Sequence, residues 1–529
     1  MSQVDRLFAD FWTGKISRRE FLARAAALGV AAALVKDVLA GRLPRAAAGA
    51  AEPKRGGVLR VALDGEIDTI DPHKSVTIVG FQVYTQIYEG LVQANPQLDA
   101  MVPLLAERWE HPDALTYVFY LRRGVRFHNG KEFKAEDVAF TFERIMDEKF
   151  ASPRRPDFLP VARLEVVNDY QVKFTMKAPF SPFLSKLETM RIVPRIPDHE
   201  FARTPIGTGP FAFVEWVSGQ HITLKRNTQY WQGDLPYLAG VQYRPIPEPA
   251  TRVVALRSGD VDLLNAVPLK DVSTLERDSR LKVYRVSGVV RDHLGFHNQK
   301  VPFVNNPNLR LALAWAVDRK TIAEQVLFGL AKPAMVPIPE SHWAFNPKVR
   351  NAHGYDLDRA RRYLAEANPK PSEITLKVSP TYPDQIKMAE LLQGSLAQIG
   401  LKLNIVQLEW STWIREVVSQ GNYEAEIVLI SGGIDPDDFF YQWFKSGQVF
   451  NIWRYNDARM NEMLDKARST SVQRERQAIY YQIQEKLVAE APLSHIVYRE
   501  SVVAATANMR DYVMTGRYDM DFRRVWLAR

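Results

Sequence analysis

The chain changes its periodicity once, near residues 288–298, and this change most limits the folds open to it. Before it, apolar and polar residues alternate with the period of β-strands; such segments lie at 58–62, 116–122, 171–177, 211–217 and 222–226. After it, apolar residues more often recur three and four positions apart, as on helices. No Ser/Gly-rich linker separates the two parts. The pattern predicts an α/β protein whose parts are joined by a crossing strand and not by a flexible tether.

The helical spacing places helices at defined positions. They are predicted at 135–147, 308–328, 356–367, 384–399 and 472–489. Pro307 stands where a helix can begin without losing a hydrogen bond, and Gly400 suits a helix C-terminus. The alternation at 401–405 then predicts a strand.

The N-terminal region carries a pattern typical of a twin-arginine export signal. Arg18 and Arg19 precede an apolar run at 25–35, and Ala48-Gly49-Ala50 offers a small-residue cleavage site. The run is about half the roughly 20 residues that a helix needs to span a bilayer. We therefore expect a signal peptide over 1–51 that is read by the twin-arginine export machinery. The alternative is an amphipathic surface helix with a chance pair of arginines.

Composition narrows the class of protein further. A chain of 529 residues is too long for one core, so two or three domains are expected, and 25% charged residues fit a soluble protein. The absence of cysteine excludes disulfides, thiolate chemistry and a lipid anchor on an N-terminal cysteine. An exported chain without an anchor suggests a periplasmic location. The net charge of +8 comes partly from the leader, and no dense Lys/Arg tract predicts binding to nucleic acid.

Motifs that carry enzyme chemistry are missing. The glycines of Gly207-Thr208-Gly209 precede a strand and not the helix that a phosphate-binding loop requires. His293 and His297 lie in an apparent strand, where four residues span roughly 13 Å, so they cannot share one metal. Neither a zinc-protease nor a serine-hydrolase motif occurs. We expect no catalytic residue, metal or cofactor.

Several stretches in order resemble the family 5 solute-binding proteins of ABC importers, the group that includes peptide, opine and nickel binders. The resemblance covers about residues 56–505. Its segments are YEGLV (88–92), LLAERW (104–109), TYVFYLRRGVRFHNG (116–130), KAEDV (134–138), GTGPF (207–211), and the regions 305–319 and 388–403. The block from 88 to 138 reads as a part that maintains the fold and does not touch ligand.

The resemblance implies a two-lobed periplasmic-binding-protein fold of the large, three-subdomain type. Two crossing strands would form the hinge, and the ligand would lie in the cleft between the lobes. Lobe I would comprise 52–293 and 498–529, with an inserted subdomain at about 88–203, and lobe II would comprise 294–497. Closure about the hinge would bury the ligand.

The resemblance also bears on how a ligand would be held. Peptide-binding relatives use an aspartate for the peptide amine, a tryptophan beside it and an arginine for the carboxylate. The matching positions here are Gly432, Leu429 and Ser379. Because a buried amine without a counter-charge costs several kcal/mol, other residues must supply the charges, or the ligand is not a short zwitterionic peptide. The candidates for such charges are Arg291, Asp292, Asp435 and Asp438.

Other lining candidates follow from loops that face the cleft in the family. Ser75, Val76 and Thr77 precede a helix, and the backbone of Ser431, Gly432 and Gly433 can be approached closely. Tyr382, Trp410 and Trp413 offer flat faces to a sugar, aromatic or amide group. The run 435–438 lacks the spacing of a calcium loop and is expected to cap the next helix, although Asp435 stays a ligand candidate.

We expect a monomeric solute receptor that captures a small polar solute, a peptide or a peptide-like compound, and delivers it to the permease subunits of an inner-membrane ABC importer. Opines, glutathione-like thiols, oligosaccharides and a nickel chelate remain open as ligands. A secreted cofactor-bearing hydrolase or transferase is the alternative from another class, and a sensor subunit or chaperone is a third.

Overall fold

The computed structural model describes residues 18–27, 52–196, 204–370, 372–517 and 519–528. Residues 1–54 and 55–529 form separate compact units. In the first unit, residues Arg18–Ala27 form helix α1. The apolar residues after 27 and the proposed cleavage site lie outside the described residues, so the export signal stays a prediction. Across the described ranges, no helix is long and apolar enough to cross a bilayer.

The second unit contains all the described strands. Their bounds are β1 Val58–Leu63, β2 Val92–Ala94, β3 Met101–Pro103, β4 Ala106–Asp113, β5 Thr116–Leu121, β6 Val161–Asn168, β7 Gln171–Met176, β8 Phe211–Val217, β9 His221–Arg226, β10 Gly240–Pro245, β11 Leu263–Leu264, β12 Leu281–Phe296, β13 Ala331–Pro333, β14 Glu373–Val378, β15 Lys402–Gln407, β16 Ala425–Ser431, β17 Leu493–Thr506, β18 Met509–Arg510 and β19 Trp526–Leu527.

The described helices of this unit lie mostly in its C-terminal part. They are α2 Ile78–Tyr84, α3 Ala135–Met146, α4 Arg155–Phe158, α5 Phe183–Leu187, α6 Pro249–Ser258, α7 Val272–Glu276, α8 Pro307–Ala316, α9 Arg319–Thr321, α10 Leu357–Ala367, α11 Pro383–Gln398, α12 Trp410–Trp413, α13 Asp437–Phe444, α14 Ala458–Ser469 and α15 Gln473–Glu490. π-Helical turns follow α9 and α12, at Ile322–Val326 and Ile414–Ser419, and 3₁₀ turns lie at Leu269–Asp271 and Pro347–Val349.

One mixed sheet of 11 strands organises the second unit, in the order β15-β14-β16-β12-β17-β11-β1-β10-β9-β8, with β13 paired to β17. The strands at one end of this order come from residues 58–264 and those at the other from residues 373–431. The central strands β12 and β17 are antiparallel to each other. On one side β12 pairs with β16, and on the other side β17 pairs with β11. The sheet therefore passes from one half of the chain to the other through two long strands.

The pairing of β12 with β17 is interrupted midway. The first half of β12 pairs up to Ser287 with Glu500, and pairing resumes at Arg291 with Tyr498. A Cβ atom at Gly288 would lie 2.5 Å from the Arg499 carbonyl oxygen, so only glycine fits there. A bulge of this kind bends a strand locally. It lies at the point where β12 begins to pair with β16, at Val290.

A separate four-stranded sheet, in the order β4-β5-β7-β6, has its own apolar cluster drawn from residues between Leu91 and Ile192. This cluster falls within the predicted inserted subdomain, whose bounds stay a prediction like those of the lobes. The YEGLV segment contributes to the fold here. Glu89 is buried and accepts hydrogen bonds from Thr208 Oγ1 (2.9 Å), Tyr230 Oη (2.7 Å) and Trp231 Nε1 (2.9 Å).

Most predicted elements form within one or two residues of their expected bounds. The exception is the helix predicted at 308–328, which was wrong in length. Helix α8 ends at Ala316, because Val317 adopts an extended conformation. The side chain of Asp318 then accepts a hydrogen bond from the Thr321 amide and begins a second, shorter helix. An aspartate inside an apolar helical pattern competes for backbone amides and can start a new helix.

Candidate functional site

Arg291 lies on β12 immediately after the bulge, and its side chain is fully buried. Within the described part of the chain, none of its three guanidinium nitrogens has a hydrogen-bond partner. A guanidinium carries five N–H donors and keeps its charge in proteins. Removing such a group from water without acceptors or a counter-charge is unfavourable by several kcal/mol. Arg291 is thus a charged group that the described chain leaves unsatisfied.

The surroundings of Arg291 are aromatic. Its guanidinium carbon lies 5.6 Å from the ring centre of Phe439 and 5.9 Å from that of Trp443, both on α13. Tyr498 lies opposite on β17 and donates its hydroxyl hydrogen to the Val336 carbonyl (2.8 Å). Burial lowers the pKa of Arg291 to about 10, partly offset by Tyr498. Burial and the charge of Arg291 together hold the pKa of His495 well below its usual value.

The other charged candidates all have partners within the chain. Asp292 points to the opposite side of β12 and binds Arg499 through two hydrogen bonds of 2.6 and 2.8 Å. Asp435 binds Arg476 through two bonds of 2.9 and 2.7 Å. Asp438 forms a short contact with the Lys186 ammonium. Of the four charged candidates, Arg291 alone has no partner among the described residues.

The backbone at Ser431, Gly432 and Gly433 lies beside strand β12. Ser431 is exposed and pairs with Val290, and the Gly432 amide donates to the Val289 carbonyl (3.1 Å). A Cβ atom at Gly432 would lie 2.0 Å from Cε1 of Phe439, and one at Gly433 would lie 2.1 Å from Oδ2 of Asp438. The side chains that approach these glycines in the described structure therefore belong to α13. Through Phe439, Gly432 is a neighbour of Arg291.

Three aromatic candidates form one group at the start of α11 and on α12. Trp410 stacks on Trp413 with ring centres 5.1 Å apart, and Tyr382 meets Trp410 edge to face at 5.3 Å. Trp413 is buried, whereas Tyr382 and Trp410 are half-buried. Trp413 also packs in the apolar cluster that contains Phe439 and Trp443. The structure thus brings the aromatic group and the surroundings of Arg291 into one core.

Ser75, Val76 and Thr77 are held by a carboxylate of their own loop. Asp68 accepts hydrogen bonds from Ser75 Oγ (2.8 Å), the Val76 amide (2.7 Å) and Thr77 Oγ1 (2.8 Å). Burial opposes these bonds, yet the pKa of Asp68 stays below its usual value. The Val76 side chain is exposed. No described contact joins this loop to Arg291 or to the aromatic group.

Contacts between the two predicted lobes were missed by the sequence. Ser181 donates its amide to the Arg468 carbonyl (2.9 Å) and its hydroxyl to the Thr470 carbonyl (2.6 Å). Lys186, which contacts Asp438, lies on α5 of the predicted inserted subdomain. Leu98 packs in the apolar cluster of α13. The hydrogen-bonded and ion-paired residues are more than 200 positions apart in the sequence, so no local sequence pattern predicts their contacts.

The positions at which the family resemblance implies ionic contacts, Gly432 and Ser379, carry no charged side chain. Ser379 is buried, and its hydroxyl lies 3.3 Å from Thr381 Oγ1. Over the described ranges, no group of His, Asp or Glu side chains has the arrangement of a metal site. His293 lies on β12 with Nε2 3.0 Å from Glu426 Oε1.

The sequence profile described as "Bacterial extracellular solute-binding proteins, family 5 Middle" matches residues 100–451. The chain belongs to this family. Heme-binding protein A of Haemophilus influenzae is 29% identical over 471 residues, which are 81% of this chain and 85% of that protein. Oligopeptide-binding protein AppA of Bacillus subtilis is 27% identical over 511 residues, covering 91% and 93%.

A solved structure extends the similarity to the fold. It is the ABC transporter-associated periplasmic binding protein DppA from Helicobacter pylori in complex with the peptide STSA, with a TM-score of 0.78 and 30% sequence identity, covering 90% of this chain and 99% of that one. The predicted two-lobed α/β fold is confirmed. This family 5 protein is a solute-binding protein, and the family is not enzymatic.

Proposed function

We propose that this family 5 protein captures a peptide or peptide-like solute outside the cytoplasm and presents it to the permease subunits of an ABC importer. The observation that carries this proposal is the similarity over 90% of the chain to an ABC transporter-associated protein that holds a peptide. The similarity to an oligopeptide-binding protein over 91% of the chain supports the same class of ligand.

The ligand would lie over β12 and β17, between the segment around α5 and the segment around α13. Contacts of Ser181 and Lys186 with Arg468, Thr470 and Asp438 are those expected when the two lobes approach each other. Opening the cleft would break them and expose the hinge strands to a ligand. Ligand contacts to both lobes would then favour the closed state.

A ligand screen tests this function. The chain without residues 1–51 is screened by thermal shift against short peptides, opines, oligosaccharides and nickel chelates. A specific ligand at about 100 times its dissociation constant adds about 2.7 kcal/mol of stability. We expect a response to peptides, with a smaller radius of gyration in X-ray scattering when they bind. A response only to another class would refute the peptide assignment, and a flat response to all classes would argue against a receptor.

We further propose export by the twin-arginine route to the periplasm. The support is the order of Arg18, Arg19, the apolar run and the small-residue site in the sequence. Replacing both arginines by lysine is expected to leave the precursor in the cytoplasm. Undiminished export of that variant would contradict the assignment.

A further inference from the structure

Arg291 lacks a partner at a position where a ligand would meet both lobes. It follows the bulge of β12, at the point where the strand begins to pair with β16 while still paired with β17. Phe439, which faces its guanidinium, belongs to the α13 segment of predicted lobe II. The group is therefore placed on the hinge itself, and not on an outer surface where a solvated arginine needs no explanation.

The chain satisfies buried arginines elsewhere in the same half of the sequence. Arg319, also buried, donates to the carbonyl oxygens of Ala334 (3.1 Å) and His495 (2.8 Å) and to Ser494 Oγ (2.7 Å), among others. Arg476 has Asp435 and Arg499 has Asp292. In this half of the chain, the buried arginines Arg319, Arg476 and Arg499 thus each have acceptors. Arg291 differs from these arginines, because none of its three guanidinium nitrogens has a hydrogen-bond acceptor among the described residues.

We propose that Arg291 binds a carboxylate of the transported solute, and that this pair replaces the arginine–carboxylate contact that position 379 cannot make. The inference rests on the proposed function and names the ligand group that the hinge recognises. A guanidinium forms two parallel hydrogen bonds with a carboxylate, and one carboxylate neutralises its single charge. A doubly charged phosphate would leave one negative charge buried in an aromatic surrounding.

The aromatic neighbours strengthen this assignment. Phe439 and Trp443 give the guanidinium a flat apolar wall and no acceptor, so its hydrogen-bonding groups stay available. Glu426, a buried carboxylate on the neighbouring strand β16, has Oε1 3.0 Å from His293 Nε2 and accepts a hydrogen bond from Trp453 Nε1 at 2.9 Å. Through Oε1 the Glu426 carboxylate is thus engaged by two neighbours and is not paired with Arg291.

The test compares a library of unmodified tripeptides with the same library carrying amidated C-termini. Binding to the wild-type protein is measured by native mass spectrometry and thermal shift. We expect the free-acid library to bind about 10–100-fold more tightly than the amidated one, because a hydrogen bond to a charged group is lost on amidation. Arg291→Met is expected to lose that preference. Arg359→Met, which removes the same charge from an exposed helix position, keeps it.

The outcomes separate the inference from the function on which it rests. Equal binding of both libraries by the wild type, or an unchanged preference in Arg291→Met, overturns the carboxylate assignment and leaves peptide binding standing. If neither library binds, the peptide assignment fails. The role of Arg291 is then tested by comparing the melting temperatures of the ligand-free wild type and variant. In that case Arg291→Met should melt at or above the wild-type temperature, since no internal pair is lost. A clear fall in melting temperature would show a structural role and overturn the inference.

Discussion

Arg319 and Arg291, in the C-terminal half, are buried to a similar extent but differ in their hydrogen bonding. Arg319 is nearly fully buried at 4% exposure and donates to five backbone carbonyls and one hydroxyl. Arg291 is 0% exposed and donates to no described group. Burial lowers the pKa of the first to about 9 and of the second to about 10.

Burial alone therefore does not distinguish an arginine that the fold hydrogen-bonds from one that it leaves without acceptors. Arg319 sits where α8 ends, and its side chain supplies donors to the carbonyls of Ala314 and Val317 that the interrupted helix leaves open. It is part of the fold's own hydrogen bonding. Arg291 forms no hydrogen bond to any described segment, and the proposed carboxylate of the solute would explain why it is retained in the core.

Replacing Arg319 by methionine should have the largest effect. The change leaves buried carbonyl oxygens without donors, which costs on the order of 3–5 kcal/mol of unfolding free energy. Urea unfolding of the ligand-free protein measures it. Arg319→Lys should recover only part of the loss, because one ammonium cannot reach acceptors on several sides. Wild-type stability in Arg319→Met would erase the contrast with Arg291.

Replacing Asp435 by asparagine would remove the counter-charge of Arg476, which would keep its Nε hydrogen bond to the Ala467 carbonyl. Burial alone would raise the pKa of Asp435, but Arg476 holds it below its usual value. The carboxylate therefore stabilises the fold above the unfolded aspartate pKa of about 3.9, and this contribution is lost as the pH falls through the lower folded-state pKa.

Asp435→Asn should consequently lose about 2–3 kcal/mol at pH 7 and differ little from the wild type near pH 2. Unfolding curves at the two pH values check this. Asp358→Asn, which removes an exposed partner of Arg361, serves as the control and should change stability by less than about 0.5 kcal/mol. A deficit for Asp435→Asn that persists unchanged at low pH would contradict the assigned pair.

Gly432→Ala tests the wall beside Arg291. The new methyl group would lie 2.0 Å from the Phe439 ring, and relieving this overlap costs about 1–3 kcal/mol. The displaced ring should also weaken ligand binding. Gly394→Ala on α11, with no atom within 4 Å, is the matched control and should gain roughly 0.5–1 kcal/mol. Equal effects of the two changes would mean that Phe439 does not press on Gly432.

Lys186→Met should have the smallest effect of these changes. It tests whether a contact between the predicted lobes affects ligand affinity without affecting carboxylate recognition. The ammonium contacts Asp438 across the predicted lobes, and the nearby aspartates raise its pKa against the effect of burial. Since one of several contacts between the predicted lobes is lost, ligand binding should weaken by only about two- to fivefold. The preference for free-acid over amidated peptides should not change, since Arg291 is intact. Calorimetric titration measures both quantities, and a lost preference would assign carboxylate recognition to Lys186.

The sequence predicted the fold well because its signals are local. Alternation at 58–62 and 211–217 and the spacing at 356–367 and 384–399 depend on which face of each element is buried, and the structure has these elements. The length of α8 was wrong because Asp318 begins a new cap inside an apolar pattern.

The site was less predictable, because charge pairing joins distant residues. The sequence does not show which charged residues form ion pairs. Only the fold brings Asp435 to Arg476 and Asp438 to Lys186. The sequence marked Arg291 as a candidate charge, but its lack of a hydrogen-bond partner depends on how the fold arranges every neighbouring side chain. The ring contacts of Phe439 and Trp443 were missed for the same reason.

A crystal structure of the protein with its bound solute would show directly whether Arg291 binds a carboxylate. We expect a ligand carboxylate with both oxygens about 2.7–2.9 Å from the Arg291 guanidinium nitrogens, enclosed by Phe439 and Trp443. A solute whose acidic group pairs elsewhere, while Arg291 still meets only the two rings, would contradict this expectation.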